Sequence, residues 1–152
     1  MSGLLNPDFH DILSIFNDRG VDYLLVGAYA LAVHGFPRAT GDIDLWILTT
    51  RDNASRVYAS LAEFGAPMEQ LSEQDFVAKG IVFQIGVAPR RVDVLTSIDG
   101  VEFEDAWARR LEIDIEGLRV PVLSREDLIK NKRASGRPKD LADLAWLETS
   151  SS

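Results

Sequence analysis

Residues 23–48, YLLVGAYALAVHGFPRATGDIDLWIL, constrain the fold more than any other part of the chain. A short apolar run ends at Gly27, a small-residue segment follows, Pro37 breaks it, and a second apolar run carries Asp42 and Asp44. In a strand, residues i and i+2 share a face, so the two carboxylates project together while Ile43 and Leu45 take the other side. Ionised carboxylates held this close repel unless a cation sits between them. Oxygen donors of this kind suit Mg²⁺, which proteins usually hold by one or two carboxylates and substrate phosphates. Asp-X-Asp also occurs in solvated turns. Here Ile43, Leu45, Trp46, Ile47 and Leu48 mark a buried strand, where an unpaired charge is costly, and the pair reads as functional.

Around this segment the periodicity predicts alternating helices and strands. Asn6-Pro7-Asp8 starts a helix with Phe9, Ile12, Leu13 and Phe16 on one face, and Gly20 ends it. Residues 22–26 form the first strand, and Gly27 supplies a tight turn into a short helix, where free N–H groups favour an anion. Gly35-Phe36-Pro37 stops that helix. Residues 52–64 read as an amphipathic helix with Ala54, Val57, Tyr58 and Leu61 inward, closed by Gly65. Residues 70–79 have no clear pattern. The runs 81–87 and 92–95 read as a hairpin joined by four residues. Residues 101–116 give a short helix and then a strand, with Asp114 on a solvated face, and residues 119–123 give another strand. Ser124 opens a helix with Leu128, Ile129 and Lys132 on one stripe, Gly136 breaks it, and Pro138 starts the next. His10 reads as a surface residue and His34 as a core or supporting one.

The 152 residues carry 46% hydrophobic side chains, enough for one globular domain over 1–148, with 149–152 as a flexible tail. There are no cysteines, which excludes disulfides and thiolate metal sites. No run is long and apolar enough for a membrane span, the first residues are unlike a signal peptide, and the expected compartment is the cytoplasm. A net charge of −8 argues against broad nucleic-acid binding. The exception is a basic patch at Lys132, Arg133, Arg137 and Lys139.

The order strand, glycine turn into a helix, then Asp-X-Asp on the next strand resembles the nucleotidyltransferase superfamily of DNA polymerase β. The words GAYALAVHGFPRATGDIDLW and NKRASGRPKDLADLAWLE are similar to small bacterial nucleotidyltransferase-like proteins related to the AbiEii toxins. The resemblance spans most of the chain, with its specific words at 27–46 and 131–144. It implies an α/β (α+β) fold of the polymerase-β type: a small mixed sheet flanked by helices, with a C-terminal helix pair closing over one active-site face.

What the resemblance implies for the site can be carried over residue by residue. Gly27 and Ala28 would cradle a nucleoside triphosphate, although Ala28 stands where the superfamily usually has Gly or Ser and loses a hydroxyl contact. Asp42 and Asp44 would hold two Mg²⁺ ions, or Mn²⁺, with Asp93 as the third carboxylate. One ion would neutralise leaving pyrophosphate, and the other would lower the pKa of an acceptor hydroxyl whose proton Asp93 could take. The plainer reading of Asp93 is a strand-end cap or a partner for Arg91. Arg38 and Thr40 would contact phosphate or orient Asp42, against a plain loop reading. Lys132, Arg137 and Lys139 would border the nucleotide, with Asp140 orienting these cations and Asp143 solvated.

The activity expected from this set is transfer of a nucleoside monophosphate from an NTP to an acceptor hydroxyl. The acceptor is an RNA end such as tRNA, a protein side chain or a small molecule such as an aminoglycoside, and a toxin–antitoxin partner is conceivable. The competing reading is a catalytically degenerate antitoxin or partner-binding module, favoured by Ala28. A metal-dependent phosphodiesterase fits less well, because His10 and His34 are the only histidines.

Overall fold

The computed structural model describes residues 5–36, 41–87 and 90–149. Helix α1 (Pro7–Asp18) starts where Asn6 accepts a hydrogen bond from the Phe9 amide, and it buries Phe9, Ile12, Leu13 and Phe16. Strand β1 (Tyr23–Val26) runs straight into α2 (Gly27–Val33). Strand β2 (Asp42–Ile47) follows, then α3 (Arg51–Phe64), capped by Thr50 and closed by Gly65 in the left-handed region. The patternless stretch contains only a 3-10 turn, Glu73–Phe76, fixed by a reciprocal Ser72–Asp75 capping box. The hairpin strands are β3 (Val82–Ile85) and β4 (Arg91–Leu95), so the second begins one residue earlier than the apolar run. Helix α4 (Phe103–Arg109), strands β5 (Leu111–Ile115) and β6 (Leu118–Val122), and helices α5 (Arg125–Ser135) and α6 (Pro138–Thr149) complete the chain. Thr149, expected in the tail, is helical, and 150–152 lie outside the described residues.

The six strands form one mixed sheet in the order β3-β4-β2-β1-β6-β5. β2 lies parallel to β4 and antiparallel to β1, while β6 joins the other side of β1 in parallel. Strand alternation sorts the side chains. Tyr23, Leu25, Ile43, Leu45, Val92 and Val94 share one face and are essentially inaccessible. Tyr23 meets Phe16 of α1 edge to face, and α1 in turn packs on α3, so this face is the main core. Burying each such side chain contributes about 1.5–3 kcal/mol. The opposite face carries Asp42, Asp44 and Trp46 on β2, with Arg91 and Asp93 on β4. Trp46 is covered there by Phe103 of α4, at 5.0 Å between ring centres.

Beyond the covered part of that face, α5 and α6 pack against each other as an antiparallel pair after the turn at Gly136. Phe36, just past α2, stacks on Trp146 of α6 at 4.7 Å, which ties the helix pair to the glycine-turn side of the sheet. This is the expected α/β architecture, a mixed sheet flanked by helices with a C-terminal helix pair. Among the described residues, no helix is long and apolar enough to cross a membrane.

Candidate functional site

Parallel pairing of β2 and β4 sets Asp42 opposite Arg91 and Asp44 opposite Asp93. Residues opposite each other in a ladder share a face, so the two strands present three carboxylates and one guanidinium as a block. Arg91 spans the block. Its Nη2 donates to Asp42 Oδ2 at 2.7 Å and to Asp93 Oδ2 at 3.1 Å, and its Nε donates to Asp93 Oδ1 at 3.0 Å. Asp93 thus does pair with Arg91, and it faces Asp44 across the ladder. Burial, the charge and hydrogen bond of Asp93, and the charge of Asp42 push the Asp44 carboxyl up to about 7, with Lys139 opposing them.

Gly27 makes room for this group. Its φ of +71° is left-handed, and a Cβ built there would lie 2.0 Å from Asp44 Oδ2. The strand-to-helix turn and the second aspartate are therefore mutually fitted, and no larger residue is compatible with both. Gly27→Ala should cost about 2 kcal/mol or more, read from denaturant midpoints, because it combines a strained φ with a direct clash. An unchanged midpoint would mean that the close approach is not present in solution.

Asp42 and Asp44 open onto a cleft of about 410 Å³. Gly27, Ala28, Asp42 and Asp44 form one wall, Lys132, Arg137 and Lys139 of the helix pair form another, and Val82, Leu95 and Ile98 supply an apolar side. Arg137 and Lys139 are exposed. Lys132 is buried: its Nζ sits 3.1 Å from Asp140 Oδ1 and 3.2 Å from Asp143 Oδ2, and both acids are inaccessible. Arg137 Nε adds a 2.7 Å bond to Asp140. Burial alone would raise the Asp140 pKa, but the hydrogen bonds from Arg137 and Lys132 override it and hold the group below the ordinary range.

Two expectations change here. Asp143 is not solvated but is one of the two acids that enclose Lys132. The basic patch is also largely compensated, since Lys132 and Arg137 meet Asp140 and Arg133 meets Glu148. Arg91 was visible to the sequence only as a plain partner for Asp93. Its i, i+2 spacing from Asp93 was the signal that both lie on one face. His34 bonds the Leu123 carbonyl through Nε2 at 2.9 Å, a supporting role, and Asp114 is exposed as expected. Arg38 and Thr40 lie outside the described residues.

The donor set suits a hard divalent cation, because it offers carboxylate oxygens with no sulfur or imidazole. Asp42 and Asp44 would supply the ligands nearest the cleft. Among the described residues, no three acidic or histidine side chains already converge as a ready-made metal cluster.

Several proteins of known structure share this fold. A candidate nucleotidyltransferase from Thermotoga maritima, TM1012, superposes with a TM-score of 0.63 at 16% identity, over 93% of this chain and 91% of that one. The antibiotic-resistance factor ANT(2'')-Ia gives 0.63 at 21% identity, over 93% and 81%. The lincosamide antibiotic adenylyltransferase LnuA, solved with lincomycin bound, gives 0.59 at 17% identity, over 95% and 97%. These likenesses establish the fold. No curated protein matches the chain. A family model does match, over residues 8–149, and it takes in the glycine turn, all three aspartates and the helix pair. The chain thus belongs to the family described as nucleotidyltransferase of unknown function, DUF6036.

Proposed function

We propose that this chain is a Mg²⁺-dependent nucleotidyltransferase that moves a nucleoside monophosphate from an NTP to an acceptor hydroxyl and releases pyrophosphate. One observation carries the reading: Asp42, Asp44 and Asp93 share a face beside the Gly27 turn, and the first two line a cleft whose far wall is cationic. Asp42 and Asp44, with Asp93 adjoining, would hold the metal, which when bound neutralises phosphate charge and makes the acceptor hydroxyl more acidic. Gly27 and Ala28 form the floor on which the triphosphate rests. Arg137 and Lys139 reach the phosphates from the helix pair, and stabilising their developing charge is the main contribution of such side chains. Lys132 and Asp140 set the direction of Arg137. Arg38 and Thr40, in the segment leading to Asp42, complete the proposed phosphate contacts.

The words shared with the AbiEii-related proteins favour a bacterial toxin–antitoxin setting, with an RNA end or a protein side chain as acceptor. Small-molecule hydroxyls form a third acceptor class to screen. The competing reading, a degenerate partner-binding module, draws on Ala28 in the cleft wall.

Calorimetric titration with the four NTPs, with and without Mg²⁺, separates the two readings. The expected result is Mg²⁺-dependent binding of at least one NTP, weakened by about tenfold or more in D42A/D44A, since both removed charges face the ion. Binding that survives in the double variant would displace the site. Failure of the wild-type protein to bind any NTP would leave the partner-binding module.

A further inference from the structure

Arg91 is unusual in where it spends its donors. A guanidinium on a strand next to a carboxylate site could point to solvent or toward an incoming phosphate. Here it lies flat against the protein's own acids, bidentate on Asp93 and reaching Asp42 through Nη2 at 2.7 Å. The backbone dictates this. Arg91 and Asp93 are two apart on β4 and so share a face, and the β2–β4 register sets Asp42 directly opposite Arg91. A planar fork of five donors is the side chain best able to bridge two carboxylates in this way, and unlike lysine it stays charged at every accessible pH. The side chain is about a third exposed, so it lies at the surface end of this face rather than in the core.

We infer that Arg91 is the resident cation of the carboxylate face: its guanidinium holds the position between Asp42 and Asp93 that a second divalent ion would otherwise share, so the chain loads a single divalent ion, between Asp42 and Asp44. The inference rests on the metal-face reading given above. Formal charge supports it. Three ionised carboxylates with one guanidinium leave two negative charges, which one divalent ion balances, whereas two ions would leave the face strongly positive before substrate arrives. Geometry supports it too. An ion bridging Asp42 and Asp93 would need the oxygens that Arg91 already occupies, while Asp42 and Asp44 both line the cleft. Arg91 is then a positioning residue that fixes the rotamers of Asp42 and Asp93 and supplies a permanent positive charge on the β4 side.

Mn²⁺ alone is the probe, with bound and free ion counted by the electron paramagnetic resonance signal of the aqua ion up to millimolar concentration. Wild type should bind one Mn²⁺ per chain. Arg91→Met should bind two, or bind the first about tenfold more tightly, because a cation in contact with both carboxylates is gone. Arg91→Lys should stay at one, since it keeps the charge. D42N/D44N should bind none, and circular dichroism shows whether each variant is folded. Two ions on wild type, or one ion of unchanged affinity on Arg91→Met, would overturn the role given to Arg91 and leave the metal face standing. An Arg91→Met protein that does not fold transfers the test to Arg91→Gln, judged by the same counts. No ion on any folded variant would overturn the metal-face reading itself, and the inference with it.

Discussion

Lys132→Met should destabilise the fold by about 3–5 kcal/mol, the cost of removing one partner from a buried ion cluster. The reason lies in what remains behind. Asp140 and Asp143 are inaccessible and face the Lys132 ammonium from 3.1 and 3.2 Å. Without the lysine, two buried acids confront each other, and Arg137, on the exposed side, reaches only Asp140. Thermal and denaturant unfolding measure the loss directly. Adding D140N and D143N to K132M should recover most of it, because the uncovered charges are removed with their partner. A K132M protein as stable as wild type would show that the cluster is not formed.

The same series decides what Lys132 does for the proposed activity. Helices α5 and α6 meet around this cluster, and they carry Arg137 and Lys139 to the cleft. K132M should therefore weaken NTP binding as well as stability, and an activity assay alone would mistake a positioning lysine for a phosphate ligand. If the triple variant regains both stability and binding, Lys132 acts through the helix pair. If it regains stability alone, the ammonium itself contacts the nucleotide.

Much of the site could be read from local pattern because strand and helix periods act over a few residues. Period two was enough to place Asp42 with Asp44, and to place Asp93 on a strand of its own. The i+3 and i+4 spacing from Ile129 and Leu128 put Lys132 on the inward stripe of α5, where it is found. What the pattern could not supply was anything fixed by long-range packing. The insertion of β6 beside β1, parallel to it, depends on a pairing across roughly a hundred residues, for which no short-range signal exists. Asp143 looks like any polar position of an amphipathic helix until Gly136 folds α6 back on α5 and seats it on Lys132. Arg91 read as the end of a connection, because charged residues usually terminate apolar runs. Its inclusion in β4 follows from pairing with β2, which extends the strand past its hydrophobic stretch. For Asp143 and Arg91 a charged side chain found a partner on a different element, and such partnerships are invisible to periodicity.

Asp44→Asn should stabilise the metal-free protein at pH 8, by about 1–3 kcal/mol, with the gain fading toward zero near pH 4. A carboxyl pushed up to about 7 by burial and by Asp93 and Asp42 holds its proton more tightly in the folded chain than in the unfolded one. Folding stability therefore falls as pH rises from the unfolded value, about 4, through 7, and the full loss is present above 7. The amide carries no such penalty, so the difference between the two proteins reports Asp44 together with its coupling to Asp93 and Asp42. Solvent reaches one edge of the side chain, so the gain falls short of the full free energy of the shift. Denaturant unfolding in a chelator, at half-unit steps from pH 4 to 8, gives the curve for both proteins. Added Mg²⁺ should then raise wild-type stability at pH 8 and leave Asp44→Asn nearly unchanged, because an ion that binds only the folded state stabilises it in proportion to its affinity. A wild-type curve parallel to that of the variant across this range would mean that the carboxylates do not strain one another, and the electrostatic case for a cation at Asp42 and Asp44 would fall with it.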